Sequence, residues 1–533
     1  MRKNDEKIVI VGAGIAGLTA AAYLTKAGYN VLLLEKNDRS GGLLGTLNHH
    51  GFYFDSGPRA LVNSGIVKPI LKELGVEWEY LDNKISIGIE DQLFRVSSIN
   101  DLEEYQRILT ELYPDDQKDI KKIISVVKEL SEYTRVLYEF DNPYFGDPFS
   151  DKEYVLKKLL PWSFKFLHAL RKFTQFKMPM EDFMCRLTRN QSLIDILTQH
   201  FFRNTPTYFA LGYFYVYLDY FYPKGGTGAL KDLLVKKVTE WSGQINLSKT
   251  ITRVIPSQSK VMDADGNEYP YDQLIWAADL KALYRSLDPV GLNSQIIRKL
   301  ESEKQSILSS KGSESVFIMY IGVNRPPSYF NEHGGEHLFF TPSRQGLGET
   351  NRAQRVQLIE DFDRVSKSDV IAWLESYCDL TTYEISIPVL RDSTLAPEGQ
   401  TGVMVSCLFD YQMVKNIEQA GWYDEFKERV EMRILRNLSE TLYKDMEKDI
   451  LFRFSSTPVT INTISGSSEG AITGWSFEKE PPVIYKLTDI GKSVYTALPN
   501  VYKAGQWAYA PAGVPIAMLT AWHTYQKIIK RSK

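Results

Sequence analysis

Lys7-Ile8-Val9-Ile10-Val11-Gly12-Ala13-Gly14-Ile15-Ala16-Gly17-Leu18-Thr19-Ala20-Ala21-Ala22-Tyr23-Leu24 runs from a short aliphatic segment through three glycines into an alanine-rich one. Four consecutive β-branched aliphatic residues predict a buried parallel strand over 7–11. Leu18 to Ala27 predicts a helix ended by Gly28, and Val31 to Leu34 a second strand ending in Glu35. The three glycines act differently. Gly12 allows the tight turn, Gly14 lets the backbone approach a pyrophosphate, and Gly17 lets the helix pack on the strand. The helix N-terminus that follows offers free N–H groups and a positive dipole end to phosphates, so Ile15 and Ala16 of the turn are expected at the cofactor as well. Glu35 lies 23 residues after Gly12, where a carboxylate can accept from ribose hydroxyls. The uncharged run Ile8 to Leu24 has a signal-like composition, but its glycines and strand–turn–helix pattern predict a folded core unit. A dinucleotide site follows.

The next stretches narrow the dinucleotide. Glu35-Lys36-Asn37-Asp38-Arg39-Ser40-Gly41-Gly42 is followed by Gly51-Phe52-Tyr53-Phe54-Asp55-Ser56-Gly57-Pro58-Arg59. Together they resemble the amine oxidase and phytoene desaturase superfamily of FAD proteins. In that family the glycine pair closely follows the ribose carboxylate and a later DxGP lies beside the flavin. The resemblance therefore implies that Gly41-Gly42 belongs to the cofactor site and that Asp55-Ser56-Gly57-Pro58, with Arg59 next to it, lies by the flavin. That family often carries an arginine after its glycine pair. Leu43 stands there in this chain, and Arg39 or Arg59 is expected to supply the charge instead.

Two later blocks extend the resemblance. Tyr222-Pro223-Lys224-Gly225-Gly226-Thr227-Gly228 leads into a helical pattern to Trp241, then strand patterns at Ile251–Ile255 and Leu274–Ala278. The resemblance implies that Val254 lines an adenine pocket. Val501-Tyr502-Lys503-Ala504-Gly505-Gln506-Trp507 precedes Pro511-Ala512-Gly513-Val514-Pro515-Ile516-Ala517 and a helix to about Lys530. Proline suits the first turn of a helix, where it forfeits no hydrogen bond. The resemblance turns that helix start toward the flavin ring, where its dipole stabilises negative charge on the reduced cofactor. Gln506 stands where the family often has an acid. A second Gly-x-Gly-x-x-Gly unit for a nicotinamide cofactor is absent. FAD is therefore the expected cofactor.

Residues 95–220 read as mainly helical and aromatic, with 11 Phe or Tyr between Phe201 and Tyr222. Such a run suits a tunnel for an apolar chain or an aromatic core, and the sequence leaves both open. Trp162, Phe166, Ala169, Leu170, Phe173 and Phe176 share one helical face flanked by Lys165 and Lys172. This basic amphipathic stretch fits a membrane interface or a helix packed on the protein. Strand patterns at Ser315–Val323 and Gly402–Leu408 and a helical one at Trp422–Leu442 follow. Ser386 to Gly399, with Leu395-Ala396-Pro397-Glu398-Gly399, and Gly466 to Trp475 resemble phytoene desaturases, carotenoid isomerases and retinol saturases.

Composition sets outer limits. There are 63 basic and 66 acidic side chains, a net charge of −3, which gives no basic excess for nucleic acid. The three cysteines, Cys185, Cys378 and Cys407, form no CxxC pair, so neither zinc nor a disulfide framework is expected. A reducing, cytoplasmic setting follows, with or without contact to the inner face of a membrane. No other uncharged apolar run approaches membrane-spanning length.

The expected architecture is α/β: a discontinuous Rossmann-type FAD-binding domain (1–90, 222–289, 491–533), a helical aromatic-rich insert (91–221) and a mixed-sheet substrate domain (290–490). The resemblance implies an oxidoreductase that desaturates, saturates or isomerises a hydrophobic polyene or polyisoprenoid. Amine or protoporphyrinogen oxidation is the alternative, and a flavin-bound lipid-handling protein without turnover a third. The sequence assigns no acid or base and no metal site: His333 and His337 have i, i+4 spacing, but Gly334 and Gly335 break a helix between them. It leaves the electron acceptor open.

Overall fold

Four successive β-branched residues can all be buried only in a strand covered on both faces. Lys7–Val11 takes that place, third in a five-stranded parallel sheet ordered Gln244–Asn246, Asn30–Leu34, Lys7–Val11, Gln273–Trp276, Val501–Lys503. Val9 pairs with Leu32 on one side and Leu274 on the other. The structure, a computed structural model, describes residues 6–138, 145 and 152–531. Parts of the helical insert, 139–144 and 146–151, lie outside them.

The helices Ile15–Lys26, Ala229–Glu240 and Val514–Arg531 cover one face of this sheet through Ala20, Leu24, Leu230, Leu234, Met518 and Ala521. Alanine on the first helix keeps its axis close to the last one. The sheet thus gathers strands from three distant stretches of chain, and this is a discontinuous Rossmann-type domain.

A second, mixed sheet has seven strands ordered Ile450–Ser456, Ser315–Val323, Thr401–Phe409, Tyr383–Ser386, His337–Thr341, Ile85–Ile89, Gln92–Val96. All neighbours are antiparallel except His337–Thr341 with Ile85–Ile89. Ser315–Val323 is buried on both faces, and its period of two separates them. Phe317, Met319 and Ile321 pack toward the helices Lys367–Leu380 and Tyr423–Glu440; Ile318 and Tyr320 meet Phe52 and Phe54. A third core joins Ile85, Ile89 and Phe94 to the helices Leu102–Leu112, Gln117–Tyr138, Gln191–Thr198 and Thr207–Val216.

Expected strands at Ser315–Val323 and Ile251–Ile255 form at those bounds. The expected helix from Leu18 starts three residues earlier, at Ile15, because the glycine turn ends at Gly14.

Candidate active site

In open parallel sheets the ligand crevice lies beyond the carboxyl ends of the strands. Here that edge carries Gly12–Ala16 after the first strand, Glu35 after the second, Lys249–Ile251 after Gln244–Asn246, Ala277–Asp279 after Gln273–Trp276, and Ala504–Trp507 after Val501–Lys503. All of them but the buried Ala13 wall one cavity of about 1950 Å³.

The glycine turn is shaped from both sides. Gly12 has φ of 101°, and a Cβ there would lie 2.9 Å from the Ala277 carbonyl oxygen. A Cβ on Gly17 would lie 1.9 Å from the Gly12 carbonyl oxygen. A Cβ on Gly14 would meet nothing within 4 Å, although the turn around it is packed. That open side belongs to the cavity wall. Gly14 caps the helix Ile15–Lys26 with no side chain, so the first-turn N–H groups are not consumed by a capping residue.

Glu35 is buried and takes the Ala13 N–H on Oε2 at 2.7 Å and the Asn37 N–H on Oε1 at 3.0 Å. Each carboxylate oxygen retains a lone pair for a further donor. Gly41 donates to the Ala13 carbonyl at 2.8 Å, which brings Gly41 and Gly42 against the turn. Gly57 and Pro58 line the same cavity, as does Arg59. Arg59 donates to the Asp55 and Gly57 carbonyls at 3.1 and 2.6 Å, while its buried Nε has no protein partner. From the far end of the chain, Gly505 donates to Thr520 Oγ1 at 2.9 Å, tying the last strand to the last helix. Gln506 and the helix start at Val514, Pro515 and Ile516 complete this wall.

Lys36 also lines the cavity, with Nζ donating to the Thr463 carbonyl at 3.1 Å. Gly17 does not line the cavity and serves the helix packing expected of it. Two other expected site residues stand elsewhere: Arg39 is exposed away from the cavity, and Val254 is fully buried and outside the wall that Ile251 joins. Sequence reasoning missed Lys249–Ile251. The carboxyl-end rule would have found them once Gln244–Asn246 was taken as a parallel strand.

Away from the nucleotide end the cavity turns aromatic. Phe201, Tyr208, Phe209, Tyr213, Tyr217 and Tyr220 face it, whereas Phe214, Phe221 and Tyr222 enter the cores. The aromatic run thus serves as tunnel and as core. Burial pushes the Tyr213 phenol up to about 12, so it is a neutral wall at physiological pH. The helix Leu160–Phe173 adds Trp162, Phe166, Leu170 and Phe173.

One face of the mixed sheet floors this part. Phe339, Glu384, Ser406 and Ile318 stand side by side in register across four strands, and all four line the cavity. His333 and His337 part company: His333 bonds the Tyr329 carbonyl, and His337, almost fully buried, bonds Glu384 Oε1 at 2.9 Å.

The sequence model for flavin containing amine oxidoreductases matches residues 15–355, more than half of the chain. The chain belongs to that family.

This member is an FAD-dependent oxidoreductase. Its wall suits the cofactor: an open glycine turn at a helix start, a buried carboxylate with spare acceptor capacity and a buried arginine donor without a protein partner. Among curated proteins it is similar to a 4,4'-diapophytoene desaturase (4,4'-diaponeurosporene-forming) of Staphylococcus aureus, 23% identical over 98% of this chain and 99% of that protein. Its fold resembles an oxidoreductase from Methanosarcina mazei, with a TM-score of 0.58 and 15% identity over 98% and 100% of the two chains. It also resembles a putrescine oxidase variant redesigned for cofactor binding, with a TM-score of 0.60 and 13% identity over 99% of each. Reduced UDP-galactopyranose mutase shares it as well, with a TM-score of 0.54 and 13% identity over 99% and 94%.

Proposed function

We propose that this family member oxidises a long polyisoprenoid, introducing double bonds, with FAD as the immediate electron acceptor. One observation carries the reading: the nucleotide cleft and an aromatic tunnel form a single cavity of about 1950 Å³. Ordinary ligand pockets are roughly 300–1,000 Å³, so this volume suits a dinucleotide together with an extended apolar chain. The similarity to a diapophytoene desaturase, spanning nearly all of both proteins, supports the same reading.

In this reading the pyrophosphate rests on Gly12, Gly14, Ile15 and Ala16, Glu35 holds the ribose, and Gly41-Gly42 closes over them. Gly57-Pro58-Arg59, Gly505-Gln506 and the helix start at Val514-Pro515-Ile516, which wall the same cavity, would hold the flavin ring. Bound FAD supplies two-electron redox chemistry. The protein supplies position and a dry slot. The aromatic walls hold the chain by area, with few polar groups to fix its register.

The purified yellow protein is mixed anaerobically with phytoene, lycopene isomers, retinol, protoporphyrinogen and an aliphatic diamine. Flavin absorbance and products are followed together. Bleaching by an acyclic polyisoprenoid, with a product two hydrogens poorer, is expected. Bleaching by the porphyrinogen or the amine alone refutes the proposal.

The tunnel mouth accounts for delivery of such a substrate. Leu160, Phe164 and Leu167 are 48, 68 and 56% exposed on the helix Leu160–Phe173, and Leu156 beside it is 64% exposed. Leu167 lines the cavity too, as does the exposed Leu487 from a distant loop. Lys157, Lys158 and Lys165 lie on the same helical stretch, and Lys486, Lys527 and Lys530 line the cavity near Leu487. Apolar side chains ringed by lysine suit an anionic lipid surface. Among the described residues no helix is long and apolar enough to cross a membrane. Replacing Leu160 and Phe164, which are exposed but do not line the cavity, together by Glu is expected to reduce binding to phosphatidylglycerol-containing vesicles about tenfold or more in a sedimentation assay. Each aromatic or leucine side chain buried in lipid contributes roughly 1.5–3 kcal/mol. Bleaching by detergent-dispersed substrate should be unchanged.

A further inference from the structure

The cavity floor holds one carboxylate among aromatic walls, and its donors are fixed. Arg391 has only N–H donors, and one of them bonds Asn83 Oδ1 at 2.6 Å. Asn83 must then present its amide Nδ2 to His337 Nδ1, 3.2 Å away. His337 Nδ1 therefore accepts, and in the neutral ring the proton sits on Nε2. Nε2–H points at Glu384 Oε1 at 2.9 Å, and Ser406 Oγ donates to Oε2 at 3.2 Å. The Arg391–Asn83–His337 chain behind Glu384 is thus oriented so that Oε1 accepts, while the Ser406 hydroxyl is within reach of both Oε2 and the Glu384 carbonyl, 3.4 Å away. Its side chain is 32% exposed and lines the cavity, whereas His337 behind it is 1% exposed.

We propose that Glu384 is the proton acceptor of the oxidation, with His337, Asn83 and Arg391 as the positioning residues that keep it an acceptor. The inference rests on the polyisoprenoid reading above. Introducing a C=C bond removes two hydrogens from adjacent carbons. One leaves with its electron pair to oxidised FAD. The other leaves as a proton to Glu384, and the electron pair of its C–H bond becomes the new π bond. Glu384 ends neutral and FAD ends reduced by two electrons.

The electrostatics agree with this role. Burial pushes the Glu384 carboxyl up, but the His337 hydrogen bond, Arg59 and Ser406 outweigh it and hold the group below its ordinary value. Burial lowers His337 as well, so the pair is carboxylate and neutral imidazole. His200, on the cavity wall, is lowered to about 4 by burial and is neutral above that pH. Tyr213, Tyr217 and Tyr220 complete the surroundings, each raised by burial and therefore uncharged. Arg391 also donates to the Arg59 carbonyl at 2.9 Å, which ties the chain behind Glu384 to the Gly57-Pro58-Arg59 wall of the same cavity.

The test uses FAD-loaded enzyme. Glu384→Gln is expected to slow anaerobic flavin bleaching by about 10²–10⁴-fold, the usual span for a general base, with FAD content and substrate affinity unchanged. Wild-type bleaching should fall as pH drops through the Glu384 pKa, and Glu384→Gln should lack that limb. His337→Leu removes the donor that lowers this pKa, so its limb should move to higher pH; His337→Gln keeps an N–H there and should leave the limb in place. Wild-type rates in Glu384→Gln, or a loss confined to substrate affinity, overturn the proposal. An infrared difference spectrum of substrate-free wild type against Glu384→Gln reads the protonation state without turnover. A carboxylate band at pH 7 supports the acceptor, and a protonated carboxyl band overturns it. If no polyisoprenoid bleaches the wild type, the substrate reading fails while the infrared result still decides for or against Glu384.

Discussion

Gly14→Glu yields a folded, colourless protein. The expectation comes from the contrast between Gly14 and its neighbours. A side chain at Gly12 or Gly17 would collide with backbone, at 2.9 Å from Ala277 and 1.9 Å from Gly12 respectively. Substitution there damages the fold. A Cβ at Gly14 meets no protein atom within 4 Å. It points into the cavity, where the pyrophosphate of FAD is proposed to lie on the helix start. Glutamate would place a third negative charge against two phosphates in a partly desolvated site. Like-charge juxtaposition costs several kcal/mol, and about 4 kcal/mol is a ~10³-fold loss of affinity. Absorbance at purification and FAD titration of the apoprotein measure it. Unfolding of the apo forms should be little altered, whereas Gly17→Ala should lower apo stability. Full flavin in Gly14→Glu would remove the pyrophosphate from this turn.

The nucleotide end was legible because its signals are local. The strand, the glycine turn, the helix and Glu35 fall within one short stretch, and each residue type answers a constraint imposed by near neighbours. The closing segment at Gly505–Ile516 was legible only through resemblance, since its strand enters the sheet beside Gln273–Trp276, over two hundred residues away. Arg39 shows the limit of proximity in sequence: it lies beside the Gly41-Gly42 pair, yet the chain directs it outward. Val254 shows the limit of resemblance: the residue matched to the family position is fully buried, and Ile251, three residues earlier, lines the cavity instead.

The Glu384 group was illegible for the same reason. Asn83, His337, Glu384, Arg391 and Ser406 come from separate segments, and sheet register alone sets Glu384 opposite Ser406 and Phe339. A shift of one residue would turn Glu384 away from the cavity. The i, i+4 spacing of His333 and His337, set aside because Gly334 and Gly335 break a helix there, carried no hint of it, and the fold gives the two rings different partners.

Asp55→Ala is expected to lower unfolding stability by about 3–5 kcal/mol, the range for removing one partner from a buried charged network. Asp55 is fully buried. Its Oδ1 accepts the Thr227 N–H at 2.7 Å and the Thr227 hydroxyl at 2.9 Å, and its Oδ2 accepts the Tyr222 hydroxyl at 2.8 Å. Burial pushes the Asp55 carboxyl above its ordinary value, and the charge of Arg391, whose guanidinium lies 4.0 Å over the Tyr222 ring, opposes that shift together with the three hydrogen bonds. Alanine strands three donors away from water and removes a counter-charge near Arg391. Asp55→Asn should cost much less, about 1 kcal/mol. Its carbonyl oxygen can keep both Thr227 bonds while its amide donates to the Tyr222 oxygen, because a phenol hydroxyl also accepts. Denaturant titration separates the two variants, and equal losses would show that volume rather than polarity matters at this position. The same clamp joins the segment that carries Gly57-Pro58-Arg59 to the Gly225–Gly228 loop and, through Arg391, to the Asn83–His337–Glu384 chain. Asp55→Ala should therefore also retain less flavin at a denaturant concentration where Asp55→Asn remains yellow.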